Sequence, residues 1–151
     1  MDLSLMRALI ERHEGRRALV YDDADGSPLQ RGRTLRGAPT VGIGHNLLVP
    51  LSDDAIDYLF ADDLVAHLAD CESFPWFAAL TDARQAAVLD AHFNLGAGGF
   101  RTFRKFLAAM ARGAYDEAAT ELLDSAAARQ LTTRYAELAE MIRLGTCYPE
   151  D

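Results

Sequence analysis

The sequence predicts an α+β protein, with a small β-containing lobe near the N-terminus and a helical remainder, and three observations predict it. Two short β-like runs, 18–21 and 40–43, flank a stretch rich in turn-forming and charged residues. A helical pattern over about 52–70, the longest in the first half, could join two lobes. Beyond residue 82 the apolar residues keep helical spacing to Gly145, so the second half reads as an all-helical bundle. With 151 residues, 50% of them apolar, the chain can bury one core, or one core and a small lobe sharing a long helix.

Each element has a local reason. Leu3, Met6, Leu9 and Ile10 recur at helical spacing after Asp2, which suits an acidic cap, so 2–13 reads as a short amphipathic helix. The run 18–21 reads as a strand ended by DDADGSP, a cluster that favours turns. QRGRTLRGA carries Arg31, Arg33 and Arg36 without a hydrophobic pattern and reads as a flexible loop, either a basic lip or simply a solvated segment. The return strand 40–43 contains Gly42 and precedes Gly44, both permitting close backbone approach. Ser52 caps the long helix, with Asp53 and Asp54 in its first turn. Pro75 interrupts the pattern, Trp76 and Phe77 read as core anchors, and Thr81 caps a helix over 82–95 that is apolar nearly all round. GAGG ends that helix, Gly113 separates helices over 103–112 and 115–123, and one more pattern runs from Ser125 to Gly145.

Composition narrows the function. The net charge of −8 argues against nucleic acid as a partner, because neutralising phosphates needs a basic surface. It also means that attraction to an anionic polymer must come from a local patch. Cys71 and Cys147 are too few for a disulfide framework, no His/Cys spacing suggests a metal site, and both read as thiols without a catalytic role. Nothing approaches a membrane-spanning run, and the charged first residues do not resemble an export signal.

The chemistry concentrates between Glu14 and His45. If the two β-like runs pair as a hairpin, Glu14, one of Asp22 or Asp23, and Thr40 come near one another, and two carboxylates beside a hydroxyl suit acid-assisted hydrolysis with a positioned water. Glu14 sits at a helix C-terminus, where the partial negative charge disfavours ionisation; burial would act the same way, favouring the protonated form a general acid needs. A lone glutamate there is usually only a solvated helix end.

Taken together, these residues resemble the phage-type lysozyme family, the endolysin muramidases of tailed bacteriophages. The resemblance rests on Glu14, Gly15, Tyr21 and Asp23 at the family spacing, on TVGIGH at 40–45, and on FNLG at 93–96 and YDEAA at 115–119 in the expected order. It implies a lysozyme-like α+β fold: one domain over 1–151, with a β-hairpin lobe at about 14–60, a helical lobe from 1–13 and 61–151, and a glycan cleft. It also implies Glu14 as proton donor, Asp23 as second carboxylate and Thr40 as the hydroxyl orienting water. Asp23 is preferred over Asp22 because only its spacing fits, and because adjacent strand residues face opposite sides. The same resemblance makes His45 and Asp63 a structural ion pair and puts Asn94, Gln130 and Arg134 at substrate-binding positions, the last two near the catalytic glutamate.

The expected activity is hydrolysis of the β-1,4 bond between N-acetylmuramic acid and N-acetylglucosamine in peptidoglycan, with no cofactor and no metal. A chitin or chitosan hydrolase, or a wall-binding or structural module without activity, would keep the fold, though a binding module has no need for all of Glu14, Asp23 and Thr40. A monomer is expected, held in the host cytoplasm and reaching periplasmic peptidoglycan through a separate holin, without inserting into a membrane itself. The sequence departs from the family in its long 24–39 loop, in Ala126 and Ala127, where many relatives carry Arg and Trp, and in its acidic charge. Loop-closure entropy grows by only about 0.6 kcal/mol per doubling of length, so the long loop need not disturb the site.

Overall fold

The computed structural model describes residues 3–147. The fold is α+β, as the sequence predicts, and divides into two compact units, 1–57 and 58–151.

The first unit opens with α1 (Leu3–Glu14); the acidic cap expected at Asp2 lies outside the described residues. Gly15 stops the helix with φ 74° while its N–H donates to the Glu11 carbonyl at 2.9 Å, a left-handed terminus that glycine adopts without strain. Three strands follow as an antiparallel meander: β1 (Arg17–Asp22), β2 (Pro39–Gly42) and β3 (His45–Asn46). Tyr21 pairs with Thr40 and Asp22 with Pro39, and an irregularity separates that pairing from Arg17 opposite Gly42. β3 adds a strand to the hairpin read from sequence. It is two residues long, too short for a periodicity, and forms because the chain turns between Gly42 and Gly44, both at positive φ.

The segment between β1 and β2 is not the flexible loop that its composition suggests. Its first part runs back along β1, with the Leu29 N–H donating to the Val20 carbonyl at 2.8 Å and a bridge between Tyr21 and Pro28. Arg17 lies over the Tyr21 ring at 4.2 Å and donates to the Gly26 carbonyl at 2.8 Å. Asp25 pairs with both Arg33 (2.7 Å) and Arg36 (2.8 Å), so two of the three loop arginines are engaged with a carboxylate of the same loop. One carboxylate thus orders two guanidinium groups, and the loop keeps a net positive charge.

The helix α2 (Asp53–Glu72) starts with the Ala55 N–H donating to Ser52 Oγ at 3.3 Å. In the second unit a 3₁₀ turn, Phe77–Ala79, buries Phe77, and Phe74 stacks on Trp76 at 5.2 Å between centroids. Thr81 caps α3 (Asp82–Phe100), accepting from the Arg84 N–H at 3.4 Å. α3 breaks at Gly96 (φ 68°, ψ 162°), where GAGG was expected to end it, and a further short helical stretch carries the chain to Phe100. Then come α4 (Arg104–Ala111), α5 (Tyr115–Leu123), α6 (Ala126–Gln130) and α7 (Thr132–Leu144). The single pattern read after Ser125 is thus two helices, parted at Leu131 (φ −123°, ψ 57°). Gly145 (φ 74°) ends α7, and Arg84 caps it by donating to the carbonyls of Ile142 (2.8 Å) and Arg143 (3.1 Å).

Phe100, Phe106, Met110, Leu122, Tyr135 and Ile142 fill the core of this unit. Alanines at 87, 91, 109, 118, 119 and 139 are buried among them, small enough for the helices to approach closely. Cys71 is buried there too, and burial pushes its thiol up to about 11; Cys147 is exposed, and both are free. One polar chain enters this core. Buried His92 bonds through Nε2 to Asp70 (2.6 Å) and through Nδ1 to His67 Nδ1 (2.7 Å), while Arg101 holds the other Asp70 oxygen. A carboxylate only accepts, so His92 donates to Asp70 through Nε2, and one of the two facing Nδ1 atoms carries the proton shared between His92 and His67.

Candidate active site

Glu14 is the last residue of α1, and its carboxylate lies against the turn between β2 and β3. Gly44 is required by its φ of 69°, and a Cβ there would stand 2.9 Å from Glu14 Oε2, so the carboxylate would have to move aside. The G-x-G spacing in TVGIGH therefore has a local cause: it lets backbone and carboxylate meet.

Asp22 and Asp23 differ sharply. Asp22 is fully buried, and its carboxylate accepts from the N–H groups of Arg36 (2.8 Å), Gly37 (2.8 Å) and Ala24 (3.1 Å). These bonds, the Arg36 N–H foremost, hold its carboxyl below the ordinary range despite burial. Asp22 is thus the bracket on which the long loop closes. Gly37 must be glycine here as well, since an added Cβ would meet the Ala24 nitrogen at 2.7 Å and the Asp22 carboxylate at 2.9 Å. Asp25 acts similarly from the loop side, held at about 2 by hydrogen bonding to Ser27 first and then by Arg36 and Arg33.

Asp23, in the turn after β1, is exposed. Its Oδ1 accepts from the Ala38 N–H at 2.6 Å, and its own N–H donates to the Ala38 carbonyl at 3.1 Å. That carbonyl also accepts from Thr40 Oγ1 at 3.2 Å. Ala38 therefore ties Asp23 and Thr40 into one rigid bracket. With its proton committed to Ala38, the Thr40 oxygen faces any further partner as an acceptor. Thr40 itself is 4% exposed, seated beside Tyr21 in the strand pairing.

The remaining sequence-derived positions fall as follows. His45 is exposed on β3, opposite Val41, and Asp63 is exposed on α2. In the second unit, Asn94 Oδ1 accepts from the buried Tyr135 hydroxyl at 2.8 Å, which leaves the amide N–H groups of this exposed side chain for a ligand. Burial raises the Tyr135 hydroxyl above its ordinary range, so it stays protonated and donating. Arg134 Nε donates to Asp90 at 2.7 Å, a bond that raises the guanidinium further. Both line an apolar cavity of about 320 Å³ with Phe60, Leu64, Leu89 and Phe93. Gln130 is exposed at the end of α6. Sequence reasoning missed Ala38, Asp25 and Gly37, whose contributions are backbone groups or pairings within a loop and leave no motif.

Among the described residues no group of three or more His, Cys, Asp or Glu side chains could hold a metal ion, and no helix is long and apolar enough to cross a membrane. The family model described as phage lysozyme matches residues 11–136, a span that contains Glu14, Asp23, Thr40, His45, Asp63, Asn94, Gln130 and Arg134. No curated protein matches the chain.

Proposed function

Because the chain belongs to the phage lysozyme family, it is a glycoside hydrolase acting on peptidoglycan, and we propose that it cleaves the N-acetylmuramic acid to N-acetylglucosamine β-1,4 bond with Glu14 as the acid. Glu14 gives its proton to the leaving glycosidic oxygen as the C–O bond breaks. Positive charge grows on the sugar ring, and the Asp23 carboxylate stabilises it. A water donating to Thr40 Oγ1 attacks the anomeric carbon, and its other proton passes to Asp23.

The observation that carries this reading is the shared Ala38 bracket, which fixes a carboxylate and an acceptor hydroxyl relative to each other before substrate arrives. Asp22 does not suit that role, because it is fully buried and three of its four lone-pair sites are taken by backbone N–H groups. In the same reading Asn94, Gln130 and Arg134 contact the glycan, and His45 and Asp63 serve structural roles, each in its own unit. The chain acts as a monomer, held in the host cytoplasm until a separate holin gives it access to the wall.

Digestion of purified peptidoglycan, with the fragments identified by mass, tests the bond. Muramic-acid reducing ends support the reading; glucosamine ends, or cleavage of chitin alone, overturn it. Thr40→Ala should lower kcat by about 10²–10⁴ without loss of fold, the range for a group that positions a proton in transit. A product of inverted anomeric configuration, seen by NMR immediately after cleavage, accompanies attack by the Thr40-held water; a retained one would make Asp23 a nucleophile instead.

A further inference from the structure

Asp22 takes no part in the proton transfers above, yet its polar groups are bonded to both ends of the long loop. Its N–H donates to the Ser27 carbonyl at 3.0 Å, and its carbonyl accepts from the Gly26 N–H at 2.8 Å. Its carboxylate accepts from Ala24 at the start of the loop and from Arg36 and Gly37 at the end. One buried residue therefore closes the loop from both sides.

The far side of that closure leads directly into the site. Three successive amides, those of Arg36, Gly37 and Ala38, donate to two successive carboxylates, Asp22 taking the first two and Asp23 the third. Ala38, whose carbonyl also accepts from Thr40 Oγ1, thus reaches Asp23 and Thr40 from a turn that Asp22 holds. Gly37 is the joint between them. Glycine has the widest choice of backbone angles, so a Gly37 released by Asp22 lets the Ala38 peptide swing.

We propose that Asp22 is a positioning residue for the hydrolysis: its buried carboxylate fixes the 36–38 turn and, through Ala38, the placement of Asp23 against Thr40 Oγ1. The inference rests on the reaction proposed above, and it gives the long loop a part in turnover instead of in holding the wall. Charge matters here as much as shape. Oδ1 accepts from Ala24 and Gly37 while Oδ2 accepts from Arg36, and a protonated carboxyl would set an O–H against one of these donors. Among the charged groups near it, Asp25 opposes its ionisation, Asp23 is next in the chain with its own Oδ1 on Ala38, and the Arg36 guanidinium is turned to Asp25 at 2.8 Å. The three N–H groups outweigh that opposition and keep the carboxyl below its ordinary range, so the turn stays closed until strong acid opens it.

Asp22→Asn, made in the full chain, keeps the shape and turns one acceptor into a donor. On soluble glycan strands of peptidoglycan, kcat should fall about 10–100-fold, the scale of a small misplacement of reacting groups, with KM within about twofold of wild type. Exchange protection should fall at the Ala38 amide, which Asp22 does not touch, and persist at the Leu47 amide, which donates to the Pro39 carbonyl. A kcat near wild type, or a raised KM with kcat unchanged, overturns the proposal. Should the variant lose the sheet, the wild type decides. With the side-chain carboxyl carbons of Asp22 and Asp23 followed by NMR as pH falls, the Ala38 and Thr40 amides should shift with Asp22 as well as with Asp23; amides that follow Asp23 alone overturn it. Absence of reducing ends from wild-type digests would defeat the hydrolase reading instead, and the carboxyl titration would still show whether Asp22 governs the bracket.

Discussion

Among the described residues, those buried in the first unit are Tyr21, Asp22 and Thr40, whereas every member of the apolar core cluster, from Cys71 to Ile142, lies in the second. The first unit takes its order from directional bonds to carboxylates and to one backbone amide, Ala38. The second takes it from close packing of aromatic and aliphatic side chains between helices. Hydrogen bonds fix a side chain's angle as well as its distance, which is what proton donation and water attack require. Packing has no such directionality but contributes more stability per residue. The two units should therefore fail for different reasons.

Removing core volume should have the largest effect on stability. Phe100 is fully buried and meets Phe74, His92 and Phe106 at ring distances of 5.1–6.0 Å, so Phe100→Ala should cost about 3–5 kcal/mol in denaturant unfolding. A cost below about 1 kcal/mol would show that the second unit is not held by that core.

Acid should act first on the other unit. Asp22 and Asp25 both sit below their ordinary pKa of 3.8, so the stability they contribute is present above that value and is lost as pH falls through the lowered ones. For Asp25 the window runs from about 3.8 to about 2. Exchange protection of the Ser27 amide, which donates to Asp25, should fall over this window, and that of the Arg36 and Gly37 amides should fall as Asp22 takes up its proton, while that of α3 and α7 amides persists; simultaneous loss would show that the two units do not fail separately. A smaller effect is expected at Tyr135→Phe, which deletes the hydroxyl bond to Asn94 and should cost about 1 kcal/mol with the core otherwise intact. An unchanged denaturation midpoint would mean that this bond merely exchanges for water.

The same contrast decides what could be read from sequence. The helices of the second unit repeat apolar residues at a fixed period, and caps such as Thr81, Ser125 and Gly145 carry their own chemistry, so bounds and order were legible. The break at Leu131 was not, because leucine is compatible with the helical pattern on either side of it. Among the site positions, Glu14, Asp23 and Thr40 were legible as side-chain types at motif spacing. Their supports were not: Ala38 acts through its backbone, Asp25 through arginines 8 and 11 residues away, and β3 through one turn with a glycine at each end. Nor could the His67–His92–Asp70 chain be seen, since its members come from two helices and share no motif.

The central claim is that Glu14 supplies the proton, and Glu14→Gln tests it most directly, because glutamine keeps the shape beside Gly44 and removes the acid. Reducing ends released from peptidoglycan should be measured for both proteins, alongside their melting temperatures. The account predicts wild-type cleavage, loss of all detectable cleavage in the variant, and melting temperatures alike. Cleavage by the Glu14→Gln protein at a rate near wild type would contradict it.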